Sequence, residues 1–145
     1  VELPESVCAM ALTESNEVIM VQQYRHPIQQ SILELPGGFV DEGENPEHAI
    51  ARELLEETGY SFSNFHYLGQ TAANPGVLNN FTHLFIATGG KKTAEQSLDD
   101  NEEIIIHFKP LEEVRQLLHE HKIVQSMHAL CMFYAFQYLD GKTVS

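Results

Sequence analysis

Three carboxylates, Glu53, Glu56 and Glu57, crowd a stretch that reads as helix. At about 100° per residue they fall within an arc of roughly 100°. Ile50, Ala51, Leu54 and Leu55 occupy the opposite side. One face can therefore pack on a sheet while the other presents the carboxylates together. Like charges three and four residues apart destabilise a bare helix, so a helix that keeps them needs a partner for the charge. Oxygen ligands of this density suit Mg²⁺ or Mn²⁺. The plainer alternative is a solvated acidic face. The preceding residues favour the ligand-holding reading. Gly37-Gly38 lets the backbone turn tightly and bare its carbonyl and amide groups. Arg52, four residues before Glu56, can pair with it, and Glu44 just ahead of the helix can support the dipole or reach Arg52. A glycine turn facing a carboxylate-rich helix is suited to holding a metal-bound diphosphate.

Those side chains need a scaffold, and the chain signals one. Val7 to Thr13 and Val18 to Tyr24 are short apolar runs, joined by a hairpin turn at Glu14-Ser15-Asn16-Glu17. Ile32 to Glu34 reads as another strand, broken by Pro36-Gly37-Gly38. Asn45 is placed to cap a helix that starts at Pro46, and Gly59 sits where a left-handed terminating residue is wanted. Tyr67 to Thr71, Phe81 to Thr88 and Ile104 to Phe108 read as further strands, and Leu111 to His119 and Ile123 to Leu139 as helices. Strands in number with a central helix and two late ones predict an α/β or α+β sandwich.

From Gly38 to Tyr60 the fixed positions are Gly38, Glu44, Arg52, Glu53, Leu54, Glu56, Glu57, Gly59 and Tyr60. This pattern is similar, position by position, to the signature of the Nudix hydrolases, which more often carry an aliphatic residue where Tyr60 stands. The resemblance implies that family's α/β/α sandwich around a mixed sheet, with the signature forming loop-helix-loop. It implies hydrolysis of a nucleoside diphosphate linked to another moiety, dependent on Mg²⁺ or Mn²⁺. Gln23-Tyr24-Arg25, then Leu33 to Gly38, resembles the ADP-ribose and nucleotide-sugar pyrophosphatases, as does Pro75, fifteen residues past Tyr60. The subgroup's activity, cleavage of a bridging diphosphate into two monophosphates, is the expectation. Removal of pyrophosphate from a nucleoside triphosphate and binding without catalysis are the alternatives, the second disfavoured because no signature carboxylate is lost.

By the same resemblance the metal site comprises the carbonyl of Gly37 with Glu53, Glu56 and Glu57. Glu44, Arg52 and Gly59 support the motif. The base that activates water is Glu57, or an acid from the loop ahead of the late strand, Glu102 or Glu103. Substrate contacts are expected from Gly38 and from Arg25, whose planar fork suits a phosphate. Asn79 and Asn80 are expected to offer donors and acceptors to sugar hydroxyls. Phe39, Phe81 and Tyr24 could stack on a base but are read as core. His119 and His121 read as surface, and the apolar last helix as core or as a homodimer contact.

Composition sets the outer limits. With 145 residues, of which 43% are hydrophobic, the chain fits a single domain, residues 1–145, with one real core. Its net charge of −13, from 8 basic and 21 acidic residues, repels nucleic acid and suits a collector of divalent cations. No apolar run is long enough to span a membrane. Two cysteines, Cys8 and Cys131, cannot build a disulfide framework, so a reducing, cytoplasmic home is expected. The first residue is Val1 rather than Met, which leaves open whether the N-terminus is trimmed.

Overall fold

Alternation in the first strand decides the architecture. Val7, Ala9 and Ala11 point to one side of the sheet and Cys8, Met10 and Leu12 to the other, and all six are buried. A strand buried on both faces needs a layer above and a layer below. The computed structural model describes residues 4–99 and 103–143 and supplies both layers. In chain order the elements are β1 (Ser6–Thr13), β2 (Glu17–Arg25), β3 (Gln30–Glu34), β4 (Gly37–Phe39), α1 (Pro46–Thr58), β5 (Tyr60–Ser61), β6 (Asn64–Thr71), β7 (Thr82–Lys92), β8 (Ile105–Pro110), α2 (Leu111–His119) and α3 (Ser126–Thr143).

The sheet is mixed. β1 runs parallel to β7, with Cys8 opposite Leu84 and Met10 opposite Ile86, and antiparallel to β2 and β4. β2 carries β3 and β8, and β7 carries β5 and β6, each antiparallel. Ala49, Ile50 and Leu54 of α1 pack on Val7, Ala9, Ala11, Phe85 and Ala87. On the opposite face Val114 of α2 and Cys131, Met132, Ala135 and Phe136 of α3 meet Met10, Leu12, Leu84 and Ile86. The result is an α/β/α sandwich, as the Nudix resemblance implied. Among the described residues no helix is long and apolar enough to cross a membrane.

Several expectations are revised. The glycine pair read as a turn is itself strand β4, with Gly37 opposite Cys8, because glycine allows the backbone to lie close against β1. A Cβ on Gly37 would run into the Val7 carbonyl oxygen. β6 begins at Asn64 and β7 continues to Lys92, beyond the apolar runs that signalled them, because ladder hydrogen bonds do not require apolar side chains. α3 starts at Ser126, not Ile123: Gln125 caps it, its side-chain oxygen accepting from the Met127 amide at 2.8 Å. Leu55 is exposed, so the apolar face of α1 is narrower than its spacing suggested. Tyr24, Phe39 and Phe81, read as core, are all exposed at strand ends.

Candidate active site

α1 is started and stopped by local chemistry. The Asn45 side chain accepts from the His48 amide at 2.8 Å, Pro46 opens the first turn, and Gly59 closes the helix at φ 76°. The segment after β7 then folds over the helix end. The Gly59 carbonyl accepts from the amides of Thr93 and Ala94, and the Glu56 carbonyl accepts from Ser97 at 2.8 Å. Gln96 Nε2 donates to the Glu57 carbonyl, also at 2.8 Å. Helix-end carbonyls that would otherwise lack partners are satisfied by this segment. The same contacts bring Ser97 and Asp99 to the cleft above α1.

That cleft has a volume of about 750 Å³ and is open to solvent on one side. α1 forms one wall, with Arg52, Glu53, Glu56 and Glu57 facing in. Burial grades the three carboxylates. Glu57 is 6% exposed, while the side chains of Glu53 and Glu56 are 17% and 44% exposed. The spacing arc placed them together, and packing makes them unequal.

The glycine pair faces this wall closely. The Gly37 amide points at the Glu57 carboxylate, with the two oxygens at 3.2 and 3.4 Å. A Cβ on Gly38 would lie 2.6 Å from both carboxylate oxygens of Glu53, so only glycine leaves room for that group. Arg52 ties the motif together. Its guanidinium donates to Glu44 at 2.9 and 3.0 Å, to Glu53 at 3.0 Å, and to the Phe39 carbonyl beyond the glycine pair at 3.0 Å. Its contact with Glu56, at 3.4 Å, is the longest of the set, so Glu44 and not Glu56 is its main partner. Glu44 also accepts from the Asp41 amide, and with Arg52 this holds its carboxyl down at about 2.

Across the cleft, Arg25 is fully oriented. Its Nε and Nη2 donate to the two oxygens of Glu34 at 2.9 and 2.6 Å, a bidentate pair. Glu34 is 2% exposed, whereas the Arg25 side chain is 45% exposed. Among the described residues, three of the five guanidinium N–H groups remain for a ligand. Glu34 was missed in the sequence because it lies nine residues from Arg25 and meets it only through the β2–β3 pairing, where Val21 is opposite Glu34.

The remaining expected residues divide. Asn80 lines the cleft; Asn79 is exposed and does not. Glu103 is exposed and lies off the cleft, while Glu102 lies outside the described residues. Among the described residues, the acid that the late loop brings to the cleft is Asp99. His128, from the first turn of α3, lines the cleft as well and was not anticipated. His119 and His121 are exposed, as expected.

The donor set suits a hard divalent cation: carboxylates of Glu53, Glu56 and Glu57 beside the backbone of a glycine pair. Glu53 now accepts from Arg52 and Glu57 from Gly37, and among the described residues no three acidic, imidazole or thiol groups already converge as a ligand cluster. A cation would therefore draw these carboxylates out of the hydrogen bonds they make.

Comparison with known proteins identifies the family. The model of the NUDIX domain matches residues 2–130. The chain is 36% identical over 132 residues to the methanol dehydrogenase activator of Bacillus methanolicus, covering 90% of this chain and 71% of the relative. It is 32% identical over 143 residues to the ADP-ribose pyrophosphatase of Bacillus subtilis, covering 98% and 75%. A solved structure described as an ADP compounds hydrolase superposes with a TM-score of 0.85 at 20% identity, covering 95% of this chain and 74% of that one, which speaks to the fold. The glycine pair, the Glu44–Arg52 clamp and the carboxylate helix all lie within the matched residues, and the chain belongs to the NUDIX family.

Proposed function

We propose that this chain hydrolyses the bridging diphosphate of a nucleoside diphosphate derivative, with ADP-ribose as the leading substrate and Mg²⁺ or Mn²⁺ as the cofactor. The observation that carries the reading is the opposition of Glu53 and Glu57 to the glycine pair, across one cleft from the oriented Arg25. The resemblance of Gln23 to Arg25 and of Leu33 to Gly38 to the ADP-ribose pyrophosphatases supports the substrate, as does the relative of that name.

In the proposed site Glu53, Glu56 and Glu57 with the Gly37 carbonyl hold the cation, which when bound neutralises the diphosphate and acidifies a coordinated water. Arg25, held rigid by Glu34, directs its free N–H groups at a phosphate. Glu57, the most buried of the three acids, is one candidate to take the proton from the attacking water; Asp99 lines the same cleft and is the other. Water adds to one phosphorus as the bridging oxygen leaves, so ADP-ribose gives AMP and ribose 5-phosphate. Asn80 lines the same cleft and in this reading contacts the uncharged part of the substrate.

The test is product analysis with ADP-ribose while Mg²⁺ is titrated and then removed by chelator. AMP and ribose 5-phosphate, formed with Mg²⁺ and lost with excess chelator, are expected. Full turnover in chelator would overturn the cation's role, and pyrophosphate release from ATP as the preferred reaction would overturn the substrate.

A further inference from the structure

The core stripe of α3 runs through Cys131, Met132, Ala135 and Phe136. Counting back by three and four residues, the next position on that stripe is His128. An aliphatic residue there would simply continue the packing. Instead an imidazole stands where the stripe emerges into the cleft.

Its two nitrogens have different fates. Nδ1 lies 3.1 Å from the Leu35 amide and accepts from it. Leu35 is buried just past the end of β3, so this bond gives its N–H a partner and ties α3 to the chain that leads into the glycine pair. An Nδ1 that accepts carries no proton, so the neutral ring must be protonated on Nε2. Burial pushes the imidazolium pKa down to about 4, with Glu34 and Arg25 acting in opposite directions, so the ring is neutral at pH 7. Nε2 makes no hydrogen bond within the described residues.

A second unsatisfied group lines the same cleft. Asn80 Nδ2 donates to the Pro4 carbonyl at 3.3 Å, which orients the amide and leaves its Oδ1 buried without a partner among the described residues. The first turn of α3 adjoins this region, since Thr82 Oγ1 lies 3.0 Å from Met127 Sδ. The wall of the cleft thus holds one uncharged donor and, buried just behind its surface, one uncharged acceptor. A phosphate oxygen can satisfy the donor but is repelled by the acceptor. A hydroxyl, which both accepts and donates, satisfies both.

We propose that His128 is a specificity-determining residue whose Nε2–H donates to a hydroxyl of the substrate's distal sugar, with Asn80 Oδ1 accepting from the same sugar. The inference rests on the diphosphate-sugar reading above and names the groups that recognise the sugar. His128 does no proton transfer. It selects for a hydroxylated group beyond the diphosphate and anchors Leu35 with its other nitrogen.

Two substitutions separate those roles. His128→Asn keeps an acceptor near Nδ1 for the Leu35 amide and removes the Nε2 donor. His128→Gln places an amide donor near Nε2 and removes the Nδ1 acceptor. With ADP-ribose, His128→Asn should lower kcat/KM about tenfold, the usual worth of one uncharged hydrogen bond to substrate, with little change in Tm. His128→Gln should recover most of that activity while melting lower. Asn80→Ala should show a similar fall, and the double variant His128→Asn/Asn80→Ala should lose less than the product of the two singles. Unchanged kcat/KM in His128→Asn, with His128→Gln the impaired enzyme, would leave only the anchor and overturn the inference. Losses in both variants that track Tm, or strictly multiplicative losses with Asn80→Ala, would also overturn it. A wild type inactive on ADP-ribose overturns the substrate reading and this inference together. An active wild type with His128→Asn unchanged overturns this inference alone.

Discussion

Arg25→Met would test whether the cation opposite the carboxylate helix is held by its ion pair. The substitution keeps most of the aliphatic stem but removes both N–H groups that bind Glu34 at 2.9 and 2.6 Å. It leaves a carboxylate that is only 2% exposed. Removing one partner of a fully buried pair costs about 3–5 kcal/mol, because the other charge stays behind uncompensated. Here the Arg25 side chain is 45% exposed, so water reaches the pair from that side. A discounted cost of about 2–3 kcal/mol follows. For a chain of this size that corresponds to a fall in Tm of roughly 8–12 °C. Calorimetric melts at pH 7 would read it. Arg25→Met/Glu34→Gln should regain about half of the loss, because the buried charge is gone. The phosphate loses its oriented donors in both variants, so kcat/KM should stay down about tenfold or more even where stability returns. A single variant melting within about 2 °C of wild type would refute the reasoning, as would a double variant no more stable than the single.

Glu57→Gln keeps size and hydrogen-bonding capacity but removes the charge, and kcat should fall about 10²-fold or more; a change within twofold would mean the wrong carboxylate was chosen. Gly38→Ala puts a methyl group where the Glu53 carboxylate lies, and since that carboxylate ends a flexible side chain, activity should drop about tenfold while stability changes by no more than about 1 kcal/mol. Acid should destabilise the fold through His128. Its pKa falls from 6.5 to about 4 on folding, so between those values the unfolded chain binds the extra proton. The stabilisation is full above pH 6.5 and is lost as pH falls through 4, at most about 3 kcal/mol in all. Urea melts at pH 7.5 and 4.5 should therefore diverge less in His128→Asn than in wild type, and an equal divergence would refute the assignment.

The carboxylate helix was legible in the sequence because everything that makes it is local. Asn45, Pro46 and Gly59 mark its ends, the carboxylates follow its period, and Glu44 reaches Arg52 across two turns. The layering followed from the run of strands with a central helix and two late ones, together with the family resemblance. What escaped reading depends on pairing between distant segments. Nothing near Arg25 announces that Glu34 will lie beneath it until β3 pairs with β2. His128 meets Leu35 from 93 residues away, so its spacing reports only a helix face. The exposed Tyr24, Phe39 and Phe81 show the converse: an apolar ring at a strand end carries no sign of whether a layer covers it. The loop acids were equally ambiguous, since contacts to the end of α1 decide that Asp99 faces the cleft and Glu103 does not.

The central claim is that this carboxylate helix and glycine pair serve a bridged diphosphate carrying a sugar. The most direct measurement is kcat/KM for ADP-ribose and for ATP in the same Mg²⁺ buffer, with products identified. The account predicts a clear preference for ADP-ribose, releasing AMP and ribose 5-phosphate. A preference for ATP, with AMP and pyrophosphate as products, would contradict it.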